Sequence, residues 1–328
     1  MSNKKILFRA DAAPHIGIGD LMSFIHLSRN FSNEWEIFFI VKDYKATTGL
    51  IKKYNLKNIY LLDNAISIKD EIDYINYFIK KNNIFSFFLQ TNENKLGVYN
   101  DINVEFRACV HFDSDLPLNC DLVLSWNYDS KDYFDIEKYK NTKLFVGAEY
   151  VALPLNFNFK EIEKRVYKEK RKNLLVSMGG ADEKNLTLDV VKNIYRLNLN
   201  LNMTIILGSG YEFDTKLLSY LNNTKLTYII KKSVDDMYSE YMNCDLAIGT
   251  GGLTVSELVA TRTPSLIVSA YEHQIERCDY FDKKGLIKHL GYMNTSFDNE
   301  DFDFLPNSKN KFSSKVFEVV DYFDEIFK

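Results

Sequence analysis

Short apolar runs alternate along the first half of the chain with longer amphipathic segments. The runs are KKILFRA, EIFFIVK, NIYLLD, IFSFFLQ, ACVHFD and LVLSW. Runs of this length, bounded by polar residues, are typical of buried strands. Between them, the segments Leu21–Phe31, Thr47–Tyr54 and Ile68–Asn82 have the apolar spacing of helices. Strands that alternate with helices predict βαβ units and a parallel sheet.

The same pattern starts again after Lys160–Lys172, a stretch rich in charges of both signs. Predicted strands follow at NLLVSMGG, MTIILG, LTYIIK, DLAIGTGG and SLIVSA, separated by predicted helices at Leu186–Leu197, Phe213–Leu221, Val234–Asn243, Thr254–Thr261 and HQIERCDYFDKKG. In each half, glycines follow the first strand. The amphipathic tail Ser313–Phe327 is a further predicted helix, which could cross back onto the first half.

This restart predicts an α/β protein with two Rossmann-like domains, at residues 1–156 and 157–328, that face a central cleft. A chain of 328 residues is long enough for two domains of roughly 100–200 residues each. Its 46% of hydrophobic residues is sufficient for a core in each domain. Because such sheets bind ligands beyond the carboxyl ends of their strands, we expect the functional residues in the loops that face the cleft.

Composition narrows the class of protein further. The formal net charge of -4 argues against a general nucleic-acid binder, which would carry a basic stripe. The four cysteines are scattered without a C-x-x-C pair, as is typical of reduced thiols in the cytoplasm. The start MSNKKILFRADAA lacks the apolar core of a signal peptide, and no apolar run approaches the ~20 residues of a membrane span. We therefore expect a cytoplasmic protein, with peripheral association as its only membrane contact.

The segment Asp245–Gln274 carries the strongest chemical signal. A strand is predicted to end just before Gly251-Gly252, where backbone N–H groups can approach an anion. Thr254 follows in the first turn of a helix whose positive end faces the same anion. Glu257, one turn into that helix, is placed to accept hydrogen bonds from ribose hydroxyls. The alternative is that the glycines only make a tight turn and that Thr254 caps the helix.

These residues also carry a resemblance. Gly251–Glu257, followed by Pro264 and His273-Gln274, resembles the donor-nucleotide loop of the GT-B glycosyltransferase that adds N-acetylglucosamine to the peptidoglycan lipid precursor. More of the chain is similar to the UDP-sugar hydrolase of pseudaminic acid biosynthesis and the spore-coat polysaccharide proteins grouped with it. The shared segments are ILFRADAAPHIGIGD, HFDSDLPLNCDLVLSWN, GAEYVALP, SMGGADEKNLT and the donor loop, in the family's order. The resemblance implies a GT-B fold.

The resemblance also implies a role for each matching position. Glu257 would bind the ribose of a uridine nucleotide, and His273 and Gln274 would lie near the sugar or phosphate. The pyrophosphate would be held by four consecutive residues, Gly251, Gly252, Leu253 and Thr254.

The glycines that open the second half would approach the same donor. Gly179 and Gly180 follow the first strand of that half, and their backbone could contact the nucleotide-sugar. Asp182, just behind them, could line the donor site or could instead cap the next helix. No metal and no cofactor are expected, because backbone groups and side chains would neutralise the donor diphosphate.

The loop after the first strand departs from the hydrolase pattern. The family has Ile-Gly-x-Gly-His, followed three residues later by Arg. Here Gly17 and Gly19 are kept, but Asp20 replaces the His and Ser23 replaces the Arg. After the fourth strand, Leu89-Gln90-Thr91-Asn92 stands where the family has Asp-His-Tyr. The donor side is therefore preserved, and the residues expected to carry the chemistry are changed.

Asp20 is the first candidate for a catalytic base. A carboxylate at a helix N-terminus is stabilised as the anion by the helix dipole, so we expect a charged base. An inverting sugar transfer needs one base within reach of the attacking hydroxyl. The Gly-Asp pair also resembles the base of the lipopolysaccharide heptosyltransferases, another GT-B group. The alternative is that Asp20 only caps its helix.

Other polar positions near the strand ends are weaker candidates. His15 precedes the loop glycines and is the second catalytic candidate, whereas His26, six residues into the helix, is expected to pack or to face solvent. Arg9 could line the acceptor site, or it could only pair with Asp11. His111 begins an H-x-D-x-D sequence, which is a weak metal signal.

Together these features favour a glycosyltransferase that moves a sugar from a nucleotide-sugar donor, UDP-linked by resemblance, to an acceptor hydroxyl with inversion, in bacterial surface glycan biosynthesis. Asp20 would be its base. Two alternatives stay open. The first is a nucleotide-sugar hydrolase of the nonulosonic acid pathway, with water in place of the sugar or glycan acceptor. The second is a nucleotide-sugar binder without catalysis.

Overall fold

The structure is a computed structural model that describes residues 4–13, 17–91, 96–111, 119–126, 137, 139–211, 215–307 and 312–327. Its strands are β1 Lys4–Arg9, β2 Trp35–Lys42, β3 Ile59–Leu62, β4 Ser86–Gln90, β5 Phe106–Val110, β6 Leu122–Ser125, β7 Lys143–Val146, β8 Asn173–Ser177, β9 Asn202–Leu207, β10 Thr227–Lys232, β11 Leu246–Thr250, β12 Ser265–Ser269 and β13 Lys288–Tyr292.

The α-helices are α1 Gly19–Ser28, α2 Lys45–Tyr54, α3 Ile68–Asn82, α4 Phe159–Ile162, α5 Leu186–Arg196, α6 Thr215–Asn222, α7 Met237–Asn243, α8 Leu253–Ala260, α9 Ile275–Lys283 and α10 Val316–Ile326. Short 3-10 helices lie at Leu96–Asp101, Ala148–Tyr150, Glu272–Gln274 and Glu300–Asp303. None of the described helices combines the length and the apolar character that a membrane crossing requires.

The chain divides into two compact units. Unit 1 comprises Met1–Leu155 together with Ser314–Lys328, and unit 2 comprises Asn156–Ser313. The internal boundary lies one residue before the expected position, between Leu155 and Asn156. The C-terminal boundary does not agree with the expected one, because the tail belongs to unit 1 rather than to a domain at 157–328. The tail therefore does cross back, as its amphipathic pattern allowed.

Each unit is built on one parallel sheet. The order in unit 1 is β3-β2-β1-β4-β5-β6-β7, and the order in unit 2 is β10-β9-β8-β11-β12-β13. In both sheets the first three strands are added successively toward one edge, and the later strands are added toward the opposite edge. The direction changes between β1 and β4 in unit 1 and between β8 and β11 in unit 2. The carboxyl ends of strands beside such a switch point are where parallel sheets bind ligands.

Local sequence signals explain where several elements begin and end. Helix α3 covers the predicted range Ile68–Asn82. The Ser67 side chain accepts a hydrogen bond from the Asp70 backbone N–H, which caps the helix N-terminus. Asn83 then takes a left-handed conformation, with φ 52°, and ends the helix.

The abundant phenylalanines of unit 1 build its core. Phe8 on β1 contacts Phe24 on α1, with ring centroids 4.8 Å apart, and Phe88 on β4, with centroids 5.7 Å apart. Helix α10 closes this face of the sheet, because Phe323 packs on Phe88 at 5.9 Å and on Phe31 at 5.5 Å. The aromatic composition is therefore accounted for by packing.

Polar contacts at the ends of α10 fix it to the sheet. The carboxylate of Asp324 accepts hydrogen bonds from Lys4 Nζ at 2.7 Å and from Trp35 Nε1 at 2.8 Å. Near the start of the helix, the Tyr150 hydroxyl donates to Glu318 at 2.9 Å. These contacts bind the last helix to β1, β2 and the segment that follows β7.

Removing the Phe323 ring should destabilise unit 1. Phe323 is fully buried, so Phe323→Ala is expected to lower the free energy of unfolding by about 3–5 kcal/mol. Both of the protein's tryptophans, Trp35 and Trp126, belong to unit 1, so their fluorescence during urea denaturation reports on this unit. Phe317→Ala, on the same helix but 55% exposed, is the control and should change stability by less than ~0.5 kcal/mol. Equal effects of the two variants would contradict the packing of α10 described above.

Candidate functional site

The two loops that carry the altered residues of unit 1 meet at its switch point. Strands β1 and β4 are neighbours in parallel register, with Arg9 beside Leu89. Asp20 follows β1 in the first turn of α1, and Gln90 is the last residue of β4. Residues 70 positions apart in the sequence are thereby brought to the same edge of the sheet.

Three positions that differ from the hydrolase pattern are joined by hydrogen bonds. Gln90 Nε2 donates to Asp20 Oδ1 at 2.9 Å. The Ser23 hydroxyl donates to Gln90 Oε1 at 2.6 Å and also lies 2.7 Å from the Asp20 carbonyl oxygen. All three side chains are buried, and Asp20 is 8% exposed. The three residues that differ from the hydrolase pattern are therefore in contact with one another, although Gln90 lies on β4 and the other two lie on α1. The sequence alone did not reveal this contact.

The electrostatic environment of Asp20 differs from the one expected. The pKa of its carboxyl is raised to about 7, mainly by burial, while the hydrogen bond from Gln90 lowers the pKa and the charge of Asp11 raises it. The expectation of a charged base at Asp20 stays a prediction; the loss of water around the carboxylate opposes the effect of the helix dipole and raises the pKa. The capping alternative does not describe Asp20 either, since the N-cap of α1 is Ile18.

Glycines shape the loop between β1 and α1. Gly17 has φ +86°, a left-handed conformation that disfavours other residues. Its backbone N–H donates to the Ala13 carbonyl at 2.7 Å, and the Ala13 N–H donates back to Gly17 at 3.1 Å. Gly19 is the first residue of α1. His15 lies inside this loop but outside the described residues, so its catalytic role stays a prediction.

Arg9 is held in an internal charged network. It is 3% exposed, its two terminal nitrogens donate to both oxygens of Asp11 at 2.6 and 2.8 Å, and its Nε donates to Glu71 at 2.8 Å. Glu71 also accepts from the Tyr99 hydroxyl at 2.7 Å and lies 3.6 Å from Lys42 Nζ. Burial opposes the charge of Arg9, but Asp11 and Glu71 raise its pKa above the ordinary value. The pairing alternative accounts for Arg9, and an acceptor contact stays a prediction.

The remaining described candidates of unit 1 are two histidines, and both are buried. His26 is 4% exposed and packs edge-on against Tyr54, with ring centroids 6.1 Å apart. Burial lowers its pKa to about 4, so it is neutral near pH 7, as expected for a packed residue. His111 is buried after β5. The two aspartates of its H-x-D-x-D sequence, Asp113 and Asp115, lie outside the described residues.

In unit 2, the two glycine loops also meet at a switch point. Gly179 follows β8 with φ +83°, and a Cβ built on it would lie 3.3 Å from Thr250 Oγ1 at the end of β11. The Gly180 carbonyl accepts the N–H of Gly210 at 2.9 Å. Asp182 accepts the first backbone N–H groups of α5, from Leu186 at 2.8 Å and Thr187 at 3.0 Å. The capping alternative for Asp182 is therefore confirmed.

Gly251 and Gly252 have different structural requirements. A Cβ on Gly251 would lie 2.5 Å from Cys278 Sγ and 2.8 Å from Gln274 Cβ, so close packing requires glycine there. A Cβ on Gly252 would meet only Gln274 Nε2, at 3.9 Å. Packing therefore explains Gly251 but not Gly252.

The helix after these glycines begins without a side-chain cap. Gly252 is the N-cap of α8, and Leu253 and Thr254 are its first two residues. Thr254 is therefore not the cap that the alternative interpretation required. Backbone N–H groups at a helix N-terminus without a side-chain cap are suited to an anion, because the helix dipole adds to their hydrogen bonding.

Glu257 is oriented by a buried tyrosine. The Tyr241 hydroxyl, from α7, donates to Glu257 Oε2 at 2.7 Å, and Tyr241 is 1% exposed. Among the described residues, Oε1 of Glu257 has no hydrogen-bond partner. Burial raises the pKa of Glu257 to about 7, and the bond from Tyr241 opposes that rise. One carboxylate oxygen is thus anchored to the protein, and the other can serve as an acceptor.

Gln274 and Arg277 bind the segment after β12 to the glycine loop. The buried side chain of Gln274 accepts the Ala270 backbone N–H at 2.9 Å. Arg277 is 6% exposed, and its Nη1 donates to the Gly252 carbonyl at 3.2 Å. Sequence reasoning missed Arg277, since a single arginine in an amphipathic helix is usually on the surface. Its position one turn after Gln274 was the available signal.

His273 lies on an aromatic platform beside these residues. Its ring is parallel to that of Tyr271, with centroids 5.7 Å apart. The Tyr271 hydroxyl donates to Glu183 at 3.2 Å, which connects the loop after β12 to the loop after β8. Burial and the charge of Arg277 lower the pKa of His273, which favours the neutral imidazole.

A Ser–His–Asp arrangement in unit 2 is structural. Ser269 Oγ lies 2.8 Å from His289 Nε2, and His289 Nδ1 lies 2.7 Å from Asp279. A catalytic triad needs a serine that substrate can reach, whereas Ser269 is fully buried. The three residues belong to β12, β13 and α9, and we interpret their bonds as the link that holds these elements together.

The raised pKa of Asp20 predicts a pH dependence of stability. Between about pH 4 and 7 the folded carboxyl, with its pKa of about 7, keeps a proton that the unfolded carboxyl, at 3.8, has lost. The folded state binds more protons, so the contribution of Asp20 to stability falls as the pH rises through this range. At about 1.4 kcal/mol per pKa unit, the upper limit of the loss is roughly 4 kcal/mol.

Asp20→Asn should remove this loss while keeping an oxygen that accepts from Gln90. Urea denaturation at about pH 4.5 and about pH 8 should show the variant gaining stability relative to the native protein at the higher pH. Asp73→Asn, at an exposed position of the same unit, is the control. A difference between Asp20→Asn and the native protein that does not change with pH would refute the raised pKa.

Sequence comparisons give three informative relatives, although no known family profile matches the chain. It is 25% identical over 303 residues to an uncharacterized protein of Methanocaldococcus jannaschii, covering 87% of this chain and 60% of that protein. It is 27% identical over 153 residues to the spore coat polysaccharide biosynthesis protein SpsG of Bacillus subtilis, covering 46% and 44%. It is 23% identical over 297 residues to the UDP-2,4-diacetamido-2,4,6-trideoxy-beta-L-altropyranose hydrolase of Campylobacter jejuni, covering 86% and 97%. The chain spans less than two thirds of the first two relatives.

Solved structures share the fold at low identity. MurG of Acinetobacter baumannii superposes with a TM-score of 0.67 and 13% identity, over 98% of this chain and 99% of that one. The UDP co-structure of Staphylococcus aureus MnaA superposes with a TM-score of 0.63 and 12% identity, over 99% and 97%. The chain therefore has the GT-B fold, and its sequence is similar to those of proteins named for spore-coat polysaccharide and pseudaminic acid biosynthesis.

Proposed function

We propose that this protein is a nucleotide-sugar enzyme of glycan biosynthesis that transfers a sugar from a UDP-linked donor to an acceptor hydroxyl with inversion. Asp20 of unit 1 is the general base. The two glycine loops of unit 2 bind the donor diphosphate, and Glu257 binds the ribose. The names of the Bacillus and Campylobacter relatives support the substrate class, and the UDP bound by the Staphylococcus protein supports the nucleotide.

The environment of Asp20 is the observation that carries this proposal. A general base works best when its pKa lies near the working pH, and the pKa of Asp20 is raised to about 7. It is nearly buried, and it follows β1 at the switch point of the sheet. Such tuned carboxylates are concentrated at functional sites.

The hydrogen bonds among the altered residues favour catalysis over simple binding. A protein that had lost its reaction would need no matched partners at the replaced positions. Here Gln90 and Ser23 form hydrogen bonds of 2.9 and 2.6 Å that connect them to Asp20. We therefore interpret the loop as adapted to a different base, not as a catalytic site without function.

In the donor site, backbone groups and one buried cation would share the negative charge. The first-turn N–H groups of α8 would face the diphosphate, with the open side of Gly252 leaving room for it. Arg277, bound to the Gly252 carbonyl, would add a positive charge next to that loop. Glu257 Oε1 would accept from a ribose hydroxyl while Tyr241 holds Oε2.

The proposed step is a single displacement. Asp20 takes the proton of the acceptor hydroxyl as that oxygen attacks the anomeric carbon. The bond from this carbon to the diphosphate oxygen breaks, and UDP leaves with the electron pair. Attack from the face opposite to UDP inverts the anomeric centre. Asp20 then returns its proton to water, and a pKa of about 7 suits both halves of this cycle.

Hydrolysis is the second candidate. In that reaction Asp20 would activate water, and the free sugar would be released with UDP. The similarity to the Campylobacter hydrolase, which covers 86% of this chain and 97% of that protein, favours this alternative. The replacement of the His, Arg and Asp-His-Tyr of the hydrolase pattern favours transfer.

Release of UDP from a panel of UDP-sugars, with and without sugar acceptors, tests the proposal. Transfer predicts release that depends on acceptor, whereas release without acceptor would indicate the hydrolase, and tight binding without release would indicate a binder. Asp20→Asn should lower turnover by ~10²–10⁴-fold with little change in donor affinity, because only the proton-accepting charge is lost. A folded Asp20→Asn protein with native turnover would remove Asp20 from the mechanism.

A further inference from the structure

Both ends of the Gln90 side-chain amide are bound within the protein. Its Nε2 donates to Asp20 Oδ1 at 2.9 Å, and its Oε1 accepts from the Ser23 hydroxyl at 2.6 Å. Gln90 is 4% exposed and Ser23 is 1% exposed, so water does not compete freely for these bonds. In a buried environment each such hydrogen bond is electrostatically stronger than in water.

The direction of these bonds matters for Asp20. An N–H donor that faces a carboxylate stabilises the ionised form, because a protonated oxygen accepts less well. In this orientation the Ser23 hydroxyl donates to Gln90 Oε1. The flipped amide would instead set Oε1 against Oδ1 of the ionised Asp20, two acceptors with no proton between them. The Ser23 proton therefore favours the amide orientation in which Nε2 faces Asp20 Oδ1.

One carboxylate oxygen is left to the reaction. Among the described residues, Oδ2 of Asp20 has no hydrogen-bond partner, while Oδ1 is held by Gln90. The charged group that acts on Asp20 from the neighbouring segment is Asp11, whose own charge is paired with Arg9. On the same helix, His26 is kept neutral by burial. The donor from Gln90 is therefore the contact that opposes protonation of Asp20.

We propose that Gln90, oriented by Ser23, is a positioning residue that favours the ionised form of Asp20, the form that accepts the proton of the attacking hydroxyl. The proposal rests on the proposed function for the role of Asp20 as base. It assigns Gln90 and Ser23 as the functional replacements for the residues of the hydrolase pattern at the same loops. It does not require either side chain to touch the substrate.

The pH profile of turnover tests this assignment. Gln90→Leu keeps much of the volume but removes the donor, so the acid limb of the profile should move to higher pH by about one to two units, the value of one hydrogen bond to a charged group. Above the new limb, turnover should return close to the native rate. Ser23→Ala should move the limb in the same direction by less, because the amide stays but loses its orientation.

Ser28→Ala is the matched control. Ser28 lies on the same helix and is buried, and its hydroxyl donates to the Ile25 carbonyl three residues before it at 2.9 Å. Among the described residues, it makes no hydrogen bond to Gln90. Its removal should leave the acid limb in place. A Gln90→Leu protein with turnover lowered equally at every pH would mean a structural role only and would overturn the proposal.

A titration that does not depend on activity separates this proposal from the proposed function. The ¹³C carboxyl resonance of Asp20 is identified as the one that Asp20→Asn lacks. Its midpoint should rise by about one to two units in Gln90→Leu, less in Ser23→Ala and not at all in Ser28→Ala. An unchanged midpoint in Gln90→Leu refutes the role of Gln90, even if Asp20 is the base. A shifted midpoint in Gln90→Leu, together with native turnover in Asp20→Asn, would have a different meaning. It would refute the role of Asp20 as base, but Gln90 would still be shown to favour the ionised form of Asp20.

Discussion

The hydrogen bond from Gln90 to Asp20 is the interaction on which this account of the protein depends. It exists because β1 and β4 are adjacent in a parallel sheet, so that the residues following both strands emerge at the same edge. Burial of Asp20 there is unfavourable for its charge, and the amide of Gln90 partly offsets the cost. The result is a carboxyl that can accept and release a proton near neutral pH.

The same topological constraint brings a different set of residues together in unit 2. Its switch point lies between β8 and β11, and there the chain provides two glycine loops and the N-terminus of α8. Gly251 is required by contact with Cys278, whereas Gly252 leaves open space in front of the helix. Each sheet therefore brings residues that are distant in the sequence together at its switch point: a buried carboxyl and its amide partner in unit 1, and glycines beside a helix N-terminus in unit 2.

The sequence predicted the architecture better than it predicted the contacts. Long periodic segments such as Ile68–Asn82 were identified to the residue, because the apolar spacing and the caps agree. The edge strands Lys143–Val146 and Lys288–Tyr292 were missed, since both are short and begin with a lysine. The hydrogen bond between Asp20 and Gln90 could not be predicted, because local sequence patterns carry no information about contacts between residues 70 positions apart. Only the strand order, which the sequence does not state, brings them together.

Binding of UDP at the glycine loops of unit 2 is the most direct test of the proposed function, and isothermal titration calorimetry measures it. The native protein should bind UDP, and Gly252→Val should lose that binding while keeping the native melting temperature, because the added side chain would enter the open space at the start of α8. Gly251→Ala is the control for misfolding, because its added methyl group would collide with Cys278. This variant should lower the melting temperature, and it shows how a loss of binding that results from misfolding differs from that of Gly252→Val. Unchanged UDP affinity in a well-folded Gly252→Val protein would contradict the account.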